Sequence, residues 1–200
     1  MSENNDHSGS IRKALAEHTR IAHETLHTHH WISRLASPTL TFEQYHLVLH
    51  AYLHFYRHIE LERRRLGEFD QFSLHDAVTC LESDTACISS LDRDDLPGTQ
   101  KIRLKNDHSA LGALYVLHGA RFGAAIMNKQ VSKSLPESSR KFLQNSTPLQ
   151  QWKNLTDAIE STGTVKSARQ DLFSGANETF SAFGSHVTEH CEFINAMATH

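Results

Sequence analysis

Residues 111–124 read Leu111-Gly112-Ala113-Leu114-Tyr115-Val116-Leu117-His118-Gly119-Ala120-Arg121-Phe122-Gly123-Ala124. Apolar side chains fill most of the run, and three glycines interrupt it. Gly112, Gly119 and Gly123 stand seven and four residues apart, so a helix places them on one face. Each interior glycine costs about 1 kcal/mol relative to alanine, so the stripe forgoes about 3 kcal/mol. Two arrangements offset that loss. One is a close helix–helix crossing through small residues. The other is close approach of a flat ligand to bare backbone, with a kink between Gly119 and Gly123. The residues alone leave both open.

Working outward, the same helix is expected from Asn106 to Val131. Its most apolar part, Ala110 to Met127, is short and contains His118 and Arg121, so it reads as a buried helix and not a membrane span. Upstream, helical periodicity runs from Ile11 to about Leu35, with Leu15, Thr19, Ala22, Leu26 and Ile32 near one face. Ser37-Pro38 breaks it. Thr41-Phe42-Glu43-Gln44 is a capping box that starts a second helix, which Gly67 ends. A third helix is expected from about Ser73 to Leu91, before the turn Asp94-Asp95-Leu96-Pro97-Gly98. Short helices are expected after Pro136 and Pro148, and a last one from Thr164 towards Met197, with Gly175 and Gly184 as candidate interruptions. No strand alternation and no internal repeat are found. The fold class is all-α: a single-domain helical bundle over residues 10–200, with residues 1–9 as a disordered tail.

Composition agrees. With 38% hydrophobic and 22% charged residues in 200, a packed core is affordable and wholesale disorder is not expected. A net charge of −3 gives no electrostatic reason to expect nucleic acid or a membrane surface as partner. Cys80, Cys87 and Cys191 form an odd set without a CxxC, which suits reduced thiols. The polar N-terminus carries no signal-peptide pattern, so the expected location is cytoplasmic.

Sixteen histidines are unusual in a chain of this length, and neutral imidazole is the commonest transition-metal ligand. His23 borders the apolar face of the first helix between Thr19 and Leu26. Arg20, one turn earlier, places a cation where an anionic substituent of a ligand can pair with it. An axial nitrogen, an apolar slot and cations for carboxylate arms are what a heme requires. His46, His50, His54 and His58 form an i, i+4 ladder on the second helix. Such pairs can chelate divalent metals, but the expected arrangement is a partly exposed histidine stripe. Glu24-Thr25-Leu26-His27 and Glu43-Gln44-Tyr45-His46 are both E-x-x-H, the pattern of a non-heme di-metal bundle, and are expected at similar heights on neighbouring helices.

Thr19-x-x-x-His23, Phe55-Tyr56-x-x-x-Glu60 and Gly112-Ala113-Leu114-Tyr115-Val116-Leu117-x-Gly119-x-Arg121-x-Gly123 together resemble the biliverdin-producing heme oxygenases of bacteria over residues 11–195. The resemblance implies that heme is both substrate and cofactor. It makes His23 the axial iron ligand and puts Gly119 and Gly123 on the catalytic, distal face. Arg20, Tyr115 and Lys153 would contact the propionates. It implies cleavage of heme to biliverdin, carbon monoxide and iron, with dioxygen and an external donor such as ferredoxin or an NADPH-dependent reductase. The donor protein is then a partner, and the product would serve iron uptake or a bacteriophytochrome pathway. There are departures. Ala120 stands where animal members have aspartate, His118 where an acidic residue is usual in bacteria, and His27 where an acidic group would tune the ligand. A non-catalytic heme carrier or sensor remains the alternative.

Overall fold

The computed structural model describes residues 10–86, 102–162 and 165–197. The expected tail, the Asp94–Gly98 turn, Cys87, Thr164 and the end of the third helix beyond residue 86 lie outside them. Seven α-helices are described: α1 Ile11–His27, α2 Phe42–Leu66, α3 His75–Thr85, α4 Asp107–Val131, α5 Lys141–Gln144, α6 Leu149–Thr162 and α7 Lys166–Met197. No strand occurs among the described residues. Short 3-10 turns at Ser33–Ala36, Asp70–Phe72 and Glu137–Ser139 join them.

The helix ends follow their side chains. Thr41 Oγ1 accepts from Gln44 N while the Gln44 side chain accepts from Thr41 N, so α2 opens on a capping box. Gly67, with φ of 74°, ends it in the left-handed conformation. Asn106 and Ser109 make the corresponding pair at the start of α4. The first helix is shorter than its periodicity predicts. It stops at His27, and the chain turns so that His29 Nε2–H reaches Gly184 O (3.0 Å) and Thr188 Oγ1 (2.9 Å) on α7.

α7 is the spine. α4 runs along it, and α1 and α2 pack against it as well. α6 sits against α4 and α1, and α3 and α5 close the far side. The α4–α7 crossing explains one glycine of the stripe. A Cβ on Gly112 would meet Leu172 O and lie 2.7 Å from Ala176 N. One on Gly175 would meet Ser109 O and lie 2.6 Å from Ser109 Cα. Only glycine lets the two backbones approach this closely. Hence α7 is continuous through Gly175, where an interruption was a candidate. It is continuous through Gly184 too, where a Cβ would crowd Leu26 Cδ2 at 3.2 Å.

By length and composition α4 is apolar enough to cross a membrane, but more than half of its apolar window is buried within the protein. Glu60 of α2, itself buried, accepts from Arg63, Arg64, Ser73 Oγ and Leu74 N, and so ties α2 to the start of α3. Burial opposes its ionisation, yet the Arg63 guanidinium and these hydrogen bonds hold its carboxyl down at about 2.

Candidate functional site between α1 and α4

The inward face of α1 is buried at Ile11, Leu15 and Thr19, then only half covered at Ala22 and Leu26. His23 lies in this less covered half and is exposed. Its ring meets Phe180 of α7 edge-on at 5.8 Å and His27 at 4.5 Å. Burial against these neighbours lowers its pKa, and His27 lowers it further while Glu24 opposes. The imidazole is therefore held towards its neutral, ligand-competent form. Arg20 is exposed and paired with Glu24 (3.2 Å) and Glu17 (3.3 Å) along its own helix. It would have to exchange these carboxylates for those of a ligand.

On α4, the face that Gly112 begins changes character towards the C-terminus. A Cβ on Gly119 would make ordinary contact with Trp152 of α6 at 3.5 Å. A Cβ on Gly123 would meet no atom within 4 Å among the described residues. Trp152 stacks on Tyr115 (centroids 5.5 Å) and meets Phe122 edge-on (5.0 Å). Burial raises the Tyr115 pKa, with Arg12 of α1 near enough to oppose it. Lys153, next to Trp152, is exposed. Thus α4 and α6 bring Tyr115, Gly119 and Trp152 together. His23 belongs to a separate contact set on α1 and α7. α1 and α4 both lean on α7 without extended packing between them.

Two positions were not legible as neighbours of this site, Phe180 and Trp152. Both are aromatics on α6 or α7, and only long-range packing brings them to His23 and Gly119. A nearby open groove of about 690 Å³ lies between α1 and α7, lined by His18, Phe173 and Arg169 among others. It contains none of the six residues singled out from the sequence.

No family model and no curated protein matches the chain. Solved structures do. Heme oxygenase from Leptospira interrogans superposes with a TM-score of 0.72 at 18% identity, over 90% of this chain and 100% of that one. Heme oxygenase-1 from the cyanobacterium Synechocystis, solved in complex with heme, gives 0.67 at 12% identity, over 96% and 98%. The chain has the heme oxygenase fold.

Within this heme oxygenase fold, several expectations need correction. His118, read only as a departure from an acidic residue, points into the core. It is fully buried, its Nε2–H donating to Phe72 O (3.0 Å) and its Nδ1 lying 3.2 Å from Thr147 Oγ1. Burial lowers its pKa to about 4, so it serves as a neutral structural link. The di-metal reading fails on geometry. Glu24 is taken by Arg20, and His46 is buried with its Nδ1–H on Phe42 O. No three such donors converge on one point among the described residues. The two E-x-x-H helices, α1 and α2, also have no extended mutual packing. Finally, the histidine ladder of α2 is partly exposed only in its second half, at the half-buried His54 and His58. His46 and His50 are each 1% exposed, and α7 adds His186 and His190 to the same interior.

Proposed function

We propose that this chain is a heme oxygenase. It takes heme as substrate between α1 and α4 and cleaves it to biliverdin, carbon monoxide and iron, using dioxygen and electrons from an external donor. The observation that carries the reading is Gly123. Of the three glycines on the α4 face, Gly112 is required by the α4–α7 crossing, whereas a Cβ at Gly123 would meet no atom within 4 Å among the described residues. An exposed helix-interior glycine with space beside it costs about 1 kcal/mol for no packing return. A planar ligand lying on the backbone supplies the reason for it.

The residues fit such a ligand. His23 offers a near-neutral imidazole on a half-covered apolar face, and this nitrogen would hold the iron. Tyr115 presents a hydroxyl that burial keeps protonated, a hydrogen-bond donor suited to a propionate. Lys153 and Arg20 add cations at the rim, the latter after releasing Glu17 and Glu24. On the opposite face Gly123 leaves bare backbone, and Gly119 is bordered by the uncharged Trp152. The bound macrocycle supplies the redox and oxygen chemistry, and the protein's part is orientation. The reaction would belong in the cytoplasm, with ferredoxin or an NADPH-dependent reductase as donor. A heme carrier or sensor on the same fold is the second reading, favoured by the departures at His27 and Ala120.

Hemin added to the purified chain should give a Soret band at one equivalent. With ascorbate or reduced ferredoxin in air, the band should decay and a biliverdin absorption should rise. A Soret band that survives reductant and oxygen indicates a carrier, and absence of any Soret shift defeats both readings. His23→Ala should lose the axial-ligand signature of the ferric spectrum. An unchanged spectrum and heme affinity in that variant would remove His23 from the site.

A further inference from the structure

The start of α6 is fastened to α4 and to the turn before α3. Buried Arg121 of α4 donates to Asn145 O through Nη2 (2.7 Å) and Nε (3.2 Å). Buried Thr147 donates from Oγ1 to His118 O at 3.1 Å, and Gln151 Nε2 donates to Gln71 O at 3.1 Å. Anchors at 145, 147 and 151 fix the chain that presents Trp152. The indole is held in its turn, stacked on Tyr115 (centroids 5.5 Å, planes 27° apart) and edge-on to Phe122 at 5.0 Å.

The far edge of that indole meets the glycine face. A Cβ on Gly119 would lie 3.5 Å from Trp152 Cη2 and 3.8 Å from Cζ3. One helical turn further on, a Cβ on Gly123 would meet no atom within 4 Å among the described residues. The side-chain-free face of α4 is therefore not one continuous ledge. Trp152 closes it at Gly119, and it stays open at Gly123.

We propose that Trp152 is an end stop that seats the macrocycle: it bars a flat ligand from the Gly119 half of α4, holds it over Gly123, and so selects which edge of the ring is presented for attack. This inference rests on the reading of the chain as a heme oxygenase. Ligation by one imidazole leaves rotation about the iron–nitrogen bond free. Lysine and arginine contacts at the rim do not stop that rotation, because their flexible stems follow a carboxylate through several positions. A fixed aromatic wall does stop it. Tyr115 and Lys153, the proposed carboxylate contacts, flank the indole on α4 and α6, so the carboxylate-bearing edge is the one that abuts Trp152. Trp152 is thus a positioning residue, acting by shape and not by proton transfer.

The test uses the full chain loaded with hemin and cyanide. In this low-spin ferric complex the hyperfine-shifted heme-methyl proton resonances report how the ring is turned. Wild type should show one dominant set, with nuclear Overhauser contacts from the six-membered-ring protons of Trp152 to heme substituents. Trp31→Phe removes the other tryptophan, which assigns those protons, and should leave the set unchanged. Trp152→Ala should raise a second set roughly 2- to 10-fold, the weight of one aromatic contact, with its circular dichroism and axial-ligand spectrum unchanged. The mixture of biliverdin isomers formed on turnover should broaden with it. Trp152→Phe, which keeps a flat ring of shorter reach, should fall between. Two sets of similar weight in the wild type, no contact between its indole and the heme, or an unchanged single set in Trp152→Ala would overturn this inference and leave the heme oxygenase reading in place. Failure to form any hemin complex defeats both.

Discussion

At the scale of single residues, the three glycines of one helical face have three different surroundings. Gly112 presses on backbone, Gly119 on the edge of Trp152, and Gly123 on nothing described. The spacing showed that they share a face but not which neighbour each would meet, because that depends on helices distant in sequence, Trp152 lying 33 residues from Gly119 and Leu172 60 from Gly112. Gly123→Ala should therefore stabilise the heme-free chain by about 0.5–1 kcal/mol in urea unfolding. Gly123→Val should depress heme turnover more than heme affinity. A destabilised alanine variant, or normal turnover in the valine variant, would mean that Gly123 is retained for some other reason. His118 gives a pH test. Its native pKa of about 4 lies below the ordinary histidine value near 6.5, so the unfolded chain takes up a proton first as pH falls. Stability is present above that ordinary value and is lost on acidification, at up to about 1.4 kcal/mol per pH unit. Between pH 7 and pH 5 the wild type should lose about 2 kcal/mol more than His118→Gln. Parallel losses in the two proteins would exclude this buried imidazole as the titrating group.

At the scale of elements, helix starts were the most legible feature. Capping boxes at Thr41–Gln44 and Asn106–Ser109 are local chemistry, so α2 and α4 begin where their residues require. The end of α1 was less legible. Its apolar period continues in register to Ile32, but His29 bonds to α7 and draws the chain away after His27. The ladder His46–His50–His54–His58 was correctly placed on one helix face, yet its burial could not be read. Its cover, His186 and His190, comes from a helix some 140 residues later. The α4–α7 crossing yields the sharpest stability prediction. Gly175→Ala forces a methyl against the Ser109 backbone and should cost about 3 kcal/mol. That loss should appear as a Tm lower by roughly 5–10 °C. A change under one degree would show that the crossing opens without strain.

At the scale of the whole molecule, the all-α class and the order of helices were legible because periodicity and breakers are local. The depth of the candidate site was not, since it depends on α1 and α4 sharing α7 while remaining apart from each other. Of the proposed contacts, Tyr115 is held against Trp152 of α6, whereas Arg20 is occupied by its own helix's glutamates. That difference gives a salt prediction. Surface pairs of this kind are screened by added salt. Arg20→Ala should therefore weaken heme affinity less at 0.5 M salt than at low ionic strength, in hemin titrations. An equal loss at both would place Arg20 outside the propionate contacts.

The spine formed by α7 also sets an order of events during synthesis. The partners of His29, just past α1, and of His50 on α2 are Gly184, Thr188 and His190, which follow at sequence separations of 155, 159 and 140 residues. Long loops must close before these contacts reward closure, which places the chain among slower folders than its helix content suggests. Until α7 has left the ribosome, the nascent polypeptide exposes the apolar faces that this helix will cover, and chaperones are expected to meet it there.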